Sequence, residues 1–358
     1  MLTRRSLLIG LSGIVAANLL TSCQNKHNGL RVSLLRSSIP AQLLTKFRQG
    51  VDQDRLINFQ LETSLDNLWE LLVNQEASLV TLGDTWLEKA IRENLVQPLS
   101  KEELSNWQQL PSNYQQLVTR DRLGYPNPNG QIWGAPYRWG TMMIAYRSDY
   151  LSKLGITPND WGDLWREELR DRFSLPNDPR EVIGLTLKKL GYSYNQENLT
   201  AIPQLKPELE RLHQQVKFYS SDSYLQPLIM GDTWLAVGWS TDIIPLAKNY
   251  SRIEAVIPSS GTSLWVDVWV KATQENHQDT NIIKQWLDFC WQPQAVEAIT
   301  RLTDAASPMI LNNPIAAEID KPLVVVDENI LERSEFLLPL SAATLEEYRH
   351  LWEAVVLG

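Results

Sequence analysis

The stretch ASLVTLGDTWLEKAIREN, Ala77 to Asn94, changes period in its middle. ASLVTL is a short apolar-rich run of strand type, and after Gly83 the apolar residues Trp86, Leu87, Ala90 and Ile91 fall on one helical face. Asp84 therefore reads as the N-cap of a helix over TWLEKAIREN, placed at the carboxyl end of a strand. Working outward, LRVSLL (Leu30 to Leu35) and INFQLET read as strands, and AQLLTKFRQGV and WELLVNQ as helices. A second series begins near Tyr137, with MMIAYR, FSLP and TWLAVGW as strands and Asp160 to Arg170, EVIGLTLKKLG and STDIIPLAKN as helices. The last ninety or so residues alternate again, from LWVDVWV through NIIKQWLDFCW to LEEYRHLWEAV. This alternation predicts an α/β fold of two lobes built on largely parallel sheet, each lobe fed by non-contiguous segments.

GDTWL occurs again as Gly231 to Leu235. There it follows LQPLIM and leads into the strand TWLAVGW, so it lies at a strand's amino end. Ligands of open α/β sheets bind beyond the carboxyl ends of strands. The first copy is thus placed to touch a ligand, and its counterpart in the second series is Gly238-Trp239-Ser240, where a strand ends and a helix starts. The shared letters are coincidence, not duplication.

With 358 residues and 43% hydrophobic content, the chain exceeds what one core usually serves. A net charge of −9 argues against nucleic acid as a partner and favours cationic ligands. Fourteen tryptophans supply large rigid faces suited to core and ligand boxes alike. Residues 1–23 read as a targeting segment: Arg4 and Arg5, the apolar run Leu7 to Leu20, then Leu20-Thr21-Ser22-Cys23. That arrangement resembles a bacterial lipoprotein signal, which implies lipidation of Cys23. Thr3-Arg4-Arg5-Ser6-Leu7-Leu8 also resembles a twin-arginine export signal, the general secretory route being the alternative. Residues 24–29 form a polar tether. The second cysteine, Cys290, sits in apolar WLDFCWQP and reads as a small buried hydrophobe. With no CxxC, no HExxH, four histidines and no nucleophile elbow, neither a metal, a cofactor nor an enzyme activity is expected.

PYRWGTMMIAYR, WGDLWREELRDRFSLPNDPREVIGLTLKKLGYS, GDTWLAVGWSTD and LWVDVWV, in that order and spacing, resemble the polyamine-type periplasmic binding proteins of ABC transporters. The resemblance implies a two-lobed periplasmic binding protein fold (type II), whose α/β lobes are joined by crossing hinge strands and close over a ligand. Lobe 1 would comprise 30–136 and 268–306, and lobe 2 137–267 and 307–358. The implied function is a lipid-anchored, monomeric receptor at the periplasm or cell surface that delivers a small cationic amine to permease subunits. The implied ligand set is Asp178, Glu181, Trp239, Trp265 and Asp267, with Thr85 and Trp86 standing at the first-lobe loop.

Each residue also has a purely structural reading. Asp178, Pro179 and Glu181 form a capping-box pattern. Trp265 and Trp269 alternate along a strand as core residues do, whereas Asp267, between Val266 and Val268, is an acid that must find a partner. Three converging acids would repel one another in an empty site, so Asp267→Asn would leave the empty protein equally or more stable. The chain departs from the family where Leu35, Arg36, Ser37 and Ser38 replace a Trp-x-x-x-Tyr turn, and where Ala305 and Leu337 stand for Tyr and Gln. Three alternatives stay open: a receptor retargeted to a solute with both amine and carboxylate and Arg36 as anion partner, a ligandless membrane-associated scaffold, and a hydrolase using Asp178 and Glu181.

Overall fold

A computed structural model of the chain describes residues 29–51, 56–273, 279–312, 318–319 and 321–358. The proposed signal, Cys23 and nearly all of the tether lie outside the described residues.

One mixed sheet runs through the molecule in the order Ile57–Glu62, Leu30–Leu35, Leu79–Gly83, Ser263–Ala272, Ala135–Arg147, Leu235–Trp239, Phe173–Leu175, Phe218–Tyr219. At each end three strands pair in parallel. Between them Ala135–Arg147, the long strand, and Ser263–Ala272, the central strand, pair antiparallel to each other and to their outer neighbours. The parallel reading thus holds for the outer thirds and fails in the middle, where the two long strands cross from one half to the other. All 13 residues of the long strand are buried, which a strand covered on both faces requires.

Helices cover the parallel strands as the apolar periods predict: Ala41–Gly50, Leu65–Val73, Pro179–Lys189, Ser240–Asn249 and Thr280–Cys290. Two elements differ from the sequence reading. Asp160 to Arg170 forms two 3-10 turns, Trp161–Trp165 and Glu167–Leu169, because Arg166 is extended (φ −71°, ψ 130°) and interrupts the run. The strand of the second GDTWL starts at Leu235. Before it Gly231 (φ 87°) closes the helix Leu225–Met230 in a conformation only glycine adopts easily.

The apolar side chains form two clusters. The larger gathers Leu30, Val32, Leu79, Val268, Trp269, Trp286 and Cys290, and Cys290 is buried within it as expected. The smaller gathers Ile144, Trp161, Phe173, Ile183 and Val237 with Tyr348 and Trp352 of the C-terminal helix Ala342–Trp352. Trp239 packs against both clusters.

Candidate functional site

A cleft of about 860 Å³ opens between the two halves of the sheet. Every outer parallel strand delivers its carboxyl end to it: Leu35; Thr63 to Asp66; Gly83 to Trp86; Asn177 and Asp178; Tyr219 to Asp222; and Trp239, Thr241 and Asp242. The floor is the central strand, Leu264 to Asp267, with Arg138 of the long strand beside it. All seven residues expected to bind ligand line this one cavity: Thr85, Trp86, Asp178, Glu181, Trp239, Trp265 and Asp267. No residue of the second GDTWL lines it.

The loop after Leu79–Gly83 is built differently from its sequence reading. Gly83 takes the cap position, and Asp84 opens a 3-10 turn, Asp84–Trp86, ahead of the helix Leu87–Arg92. The Asp84 carboxylate does not cap. It turns inward, is 1% exposed, and accepts the Val266 N–H at 2.9 Å through Oδ1, while Oδ2 has no hydrogen-bond partner among the described residues. Buried Arg120 fixes the same turn from below, donating to the Asp84 carbonyl at 3.2 Å. Burial pushes the Asp84 pKa up to about 7 against the pull of the Val266 N–H and of Arg120. Trp86 is half-buried, edge-on to Trp69 at 5.3 Å, and Thr85 is exposed at the rim.

Asp178 caps the helix Pro179–Lys189 as expected, accepting from Arg180 N–H at 2.8 Å and Glu181 N–H at 3.3 Å. The reciprocal half of the box is missing. Glu181 points across the cleft floor and accepts from Ser263 Oγ at 2.6 Å. Burial, then the charge of Asp178, pushes the Glu181 pKa up to about 8. Burial raises that of Asp178 as well, opposed by its two N–H donors. Asp242, one turn into the helix after Trp239, accepts from Tyr224 Oη at 2.7 Å.

Asp267 is where sequence reasoning needs the largest correction. It lies directly opposite Arg138 in the antiparallel register, and Arg138 Nε donates to its Oδ2 at 2.6 Å. Both side chains are buried, at 8% and 5% exposure, so this is an internal ion pair and not one of three mutually repelling acids. Burial works against both charges. Asp267 nevertheless holds the guanidinium above its ordinary pKa. The Arg138 Cζ also lies 5.6 Å from the ring centre of Trp265. Alternation divides the two tryptophans: Trp269 is core, and Trp265 is half-buried in the cleft. Its ring fits because position 140 is glycine, where a Cβ would overlap the Trp265 ring and Ser240 Oγ.

Charged and aromatic residues that sequence reasoning did not assign to the site are Asp66, Asp84, Arg138, Tyr219, Asp222 and Asp242. A signal existed for Arg138, a lone charge in an apolar run, by the logic already applied to Asp267. Arg36 is exposed and does not line the cleft. Of the departing positions near the C-terminus, Leu337 lines it and Ala305 is buried. Among the described residues the cleft therefore holds seven carboxylates, Asp66, Asp84, Asp178, Glu181, Asp222, Asp242 and Asp267, against the single guanidinium of Arg138.

A family model described as bacterial extracellular solute-binding protein matches residues 70–333. The spermidine/putrescine-binding periplasmic protein of Salmonella typhimurium is 25% identical, over 70% of this chain and 68% of that protein. Its counterpart from Escherichia coli is 23% identical over 90% and 89%. Among solved structures, the spermidine/putrescine substrate-binding protein PotD of Streptococcus pneumoniae superposes with a TM-score of 0.77 at 18% identity, covering 92% of this chain and 99% of that one. The two-lobed α/β periplasmic binding fold is thereby the fold of this chain.

Proposed function

The chain belongs to the bacterial extracellular solute-binding protein family, and from that premise we propose that it is the receptor of an ABC importer for a small cationic amine of the polyamine class. A member of this family is a binding component and not an enzyme. The observation that carries the choice of ligand is the excess of carboxylates over cations in a cleft that also presents Trp86, Trp239 and Trp265. An ammonium leaving water needs a counter-charge or a π-face, and the methylenes beside it need apolar area. In this reading Thr85 and Trp86 approach from one lobe, Asp178, Glu181 and Trp239 from the other, and Trp265 and Asp267 lie on the strand between. The names of the spermidine- and putrescine-binding relatives support the same ligand class.

The proposed division places 30–136 with 268–306 in lobe 1 and 137–267 with 307–358 in lobe 2. Packing of Tyr348 and Trp352 in the smaller cluster supports the return of the C-terminal helix to lobe 2, whereas Met309, Ile310, Val324 and Val326 pack in the larger cluster and favour a later crossing than 307. The receptor acts as a monomer, and hinge closure presents it to the permease subunits. A thermal-shift screen of amines tests the reading. A ligand at a hundredfold its dissociation constant adds about 2.7 kcal/mol, a rise in Tm of several degrees. The same ligand is expected to shrink the radius of gyration in solution scattering. If no amine moves Tm or the radius, the receptor reading falls.

The lipid anchor is proposed on sequence grounds, Leu20-Thr21-Ser22-Cys23 after an apolar run. Mass spectrometry is expected to find the mature chain starting at lipid-modified Cys23, with Cys23→Ser released from the membrane fraction. A mature chain that begins elsewhere would rule the anchor out.

A further inference from the structure

At the Asp267 end of the cleft, both features that would receive an ammonium are already engaged from within the protein. The carboxylate is paired with Arg138 Nε at 2.6 Å, and the same guanidinium lies 5.6 Å from the Trp265 ring centre. Arg138 thus occupies the electrostatic position of a bound ammonium. An amine group pushed into this end would meet a neutralised carboxylate and a like charge, with no gain to offset its desolvation. A guanidinium carries five N–H donors. With Nε committed to Asp267, donors remain on a side chain that lines the cavity. What they call for is a hydrogen-bond acceptor.

An anion is a poor candidate for that acceptor. The charge of Arg138 is cancelled by Asp267, and six further carboxylates line the same cavity: Asp66, Asp84, Asp178, Glu181, Asp222 and Asp242. A carboxylate group would face a net negative field. A neutral carbonyl would not. The rest of the cleft is still set up for a cation, since among the described residues no other Lys or Arg lines it.

We infer that Arg138 is a specificity-determining residue that converts one ammonium subsite into an acceptor subsite, so that the ligand is a monocationic amine carrying a neutral acyl or amide oxygen at its far end. The free ammonium goes to the Asp84, Asp178 and Glu181 side, and the acyl oxygen accepts from Arg138. The inference rests on the amine-receptor reading above and narrows it.

Calorimetric titration of the purified mature protein with four probes built on a four-carbon chain tests it: butane-1,4-diamine, its mono-N-acetyl derivative, n-butylamine and 4-aminobutanoate. The acetylated amine is expected to bind at least tenfold more tightly than each of the other three. A hydrogen bond to a charged donor supplies that margin over butylamine. A diamine that binds as tightly as the acetylated probe, or more so, overturns the inference and leaves the amine-receptor reading standing. Parity of butylamine with the acetylated probe removes the acceptor role, and a preference for 4-aminobutanoate removes the requirement for neutrality. If none of the probes nor any longer polyamine binds, the receptor reading itself fails and takes the inference with it. In Arg138→Met, with folding checked by its melting curve, Asp267 is freed and the preference is expected to reverse toward the diamine. Should that variant not fold, Arg138→Met/Asp267→Asn removes both charges and is expected to lose the acyl preference. Retention of the preference in either variant overturns the role of Arg138.

Discussion

Asp267→Asn lowers the unfolding free energy of the ligand-free protein by about 3 kcal/mol or more, since removing one member of a buried ion pair typically costs about 3–5 kcal/mol. The physical cause is the partner left behind. Arg138 is a buried side chain of the long strand, and its Nε meets Asp267 Oδ2 on the central strand at 2.6 Å. An amide can still accept that hydrogen bond but cannot neutralise the charge. The guanidinium cannot escape by losing its proton, because arginine stays protonated. The reverse change, Arg138→Met, costs less below neutral pH, where the stranded carboxyl can take up a proton. The double change Arg138→Met/Asp267→Leu recovers most of the loss, because buried pairs replaced by apolar groups are often close to neutral. Urea unfolding of the four proteins gives the coupling directly. A loss below about 1 kcal/mol for Asp267→Asn would show the pair to be solvated and the account wrong. Repulsion among three bare acids predicts the opposite sign, so the experiment separates the two pictures cleanly.

How far the sequence could lead depends on the range of the interactions involved. The strands Leu30–Leu35, Ile57–Glu62 and Leu79–Gly83 and their helices are legible because a strand's and a helix's apolar periods are local properties. The rule that ligands sit beyond carboxyl ends of strands then picks out Thr85, Trp86 and Trp239 without any tertiary information. The pairing of Asp267 with Arg138 spans 129 residues and depends on antiparallel register, which no local pattern encodes. Asp84 departs from its local reading for a related reason. Its neighbours satisfy every local rule for an N-cap, but the central strand presents the Val266 N–H at 2.9 Å, and the carboxylate turns inward to it. Glu181 leaves its capping box for Ser263 Oγ, again on that central strand. The misread side chains therefore cluster around one element, Ser263–Ala272, whose antiparallel insertion between two parallel units the alternation of strands and helices does not reveal.

The affinity for an amine rises with pH by on the order of 100-fold between pH 6 and pH 8, roughly tenfold per unit for each proton displaced. In the empty cleft burial holds the Glu181 pKa at about 8 and that of Asp84 at about 7. At pH 6 both carboxyls are therefore mainly neutral. The groups facing Glu181 are Asp178, Arg180 and Asp84, and those facing Asp84 are Arg120 and Asp267; burial outweighs both arginines. An arriving ammonium keeps its own charge throughout this range, as its ordinary pKa is about 10. It supplies the missing counter-charge, so the carboxyls ionise and protons leave with binding. Titrations in buffers of different ionisation enthalpy are expected to show that release at pH 7. Stability without ligand runs the other way. Both folded pKa values lie above the unfolded ones, 3.8 and 4.5, so the folded state binds more protons in this window. Their contribution is then fully present below about pH 4 and is lost as pH climbs through about 7 and 8. Glu181→Gln is expected to flatten both slopes, losing affinity at pH 8 while changing little at pH 6. Affinity that stays level from pH 6 to pH 8 in the unmodified protein would mean that the cleft carboxyls are already ionised before the amine arrives, and that burial does not govern them.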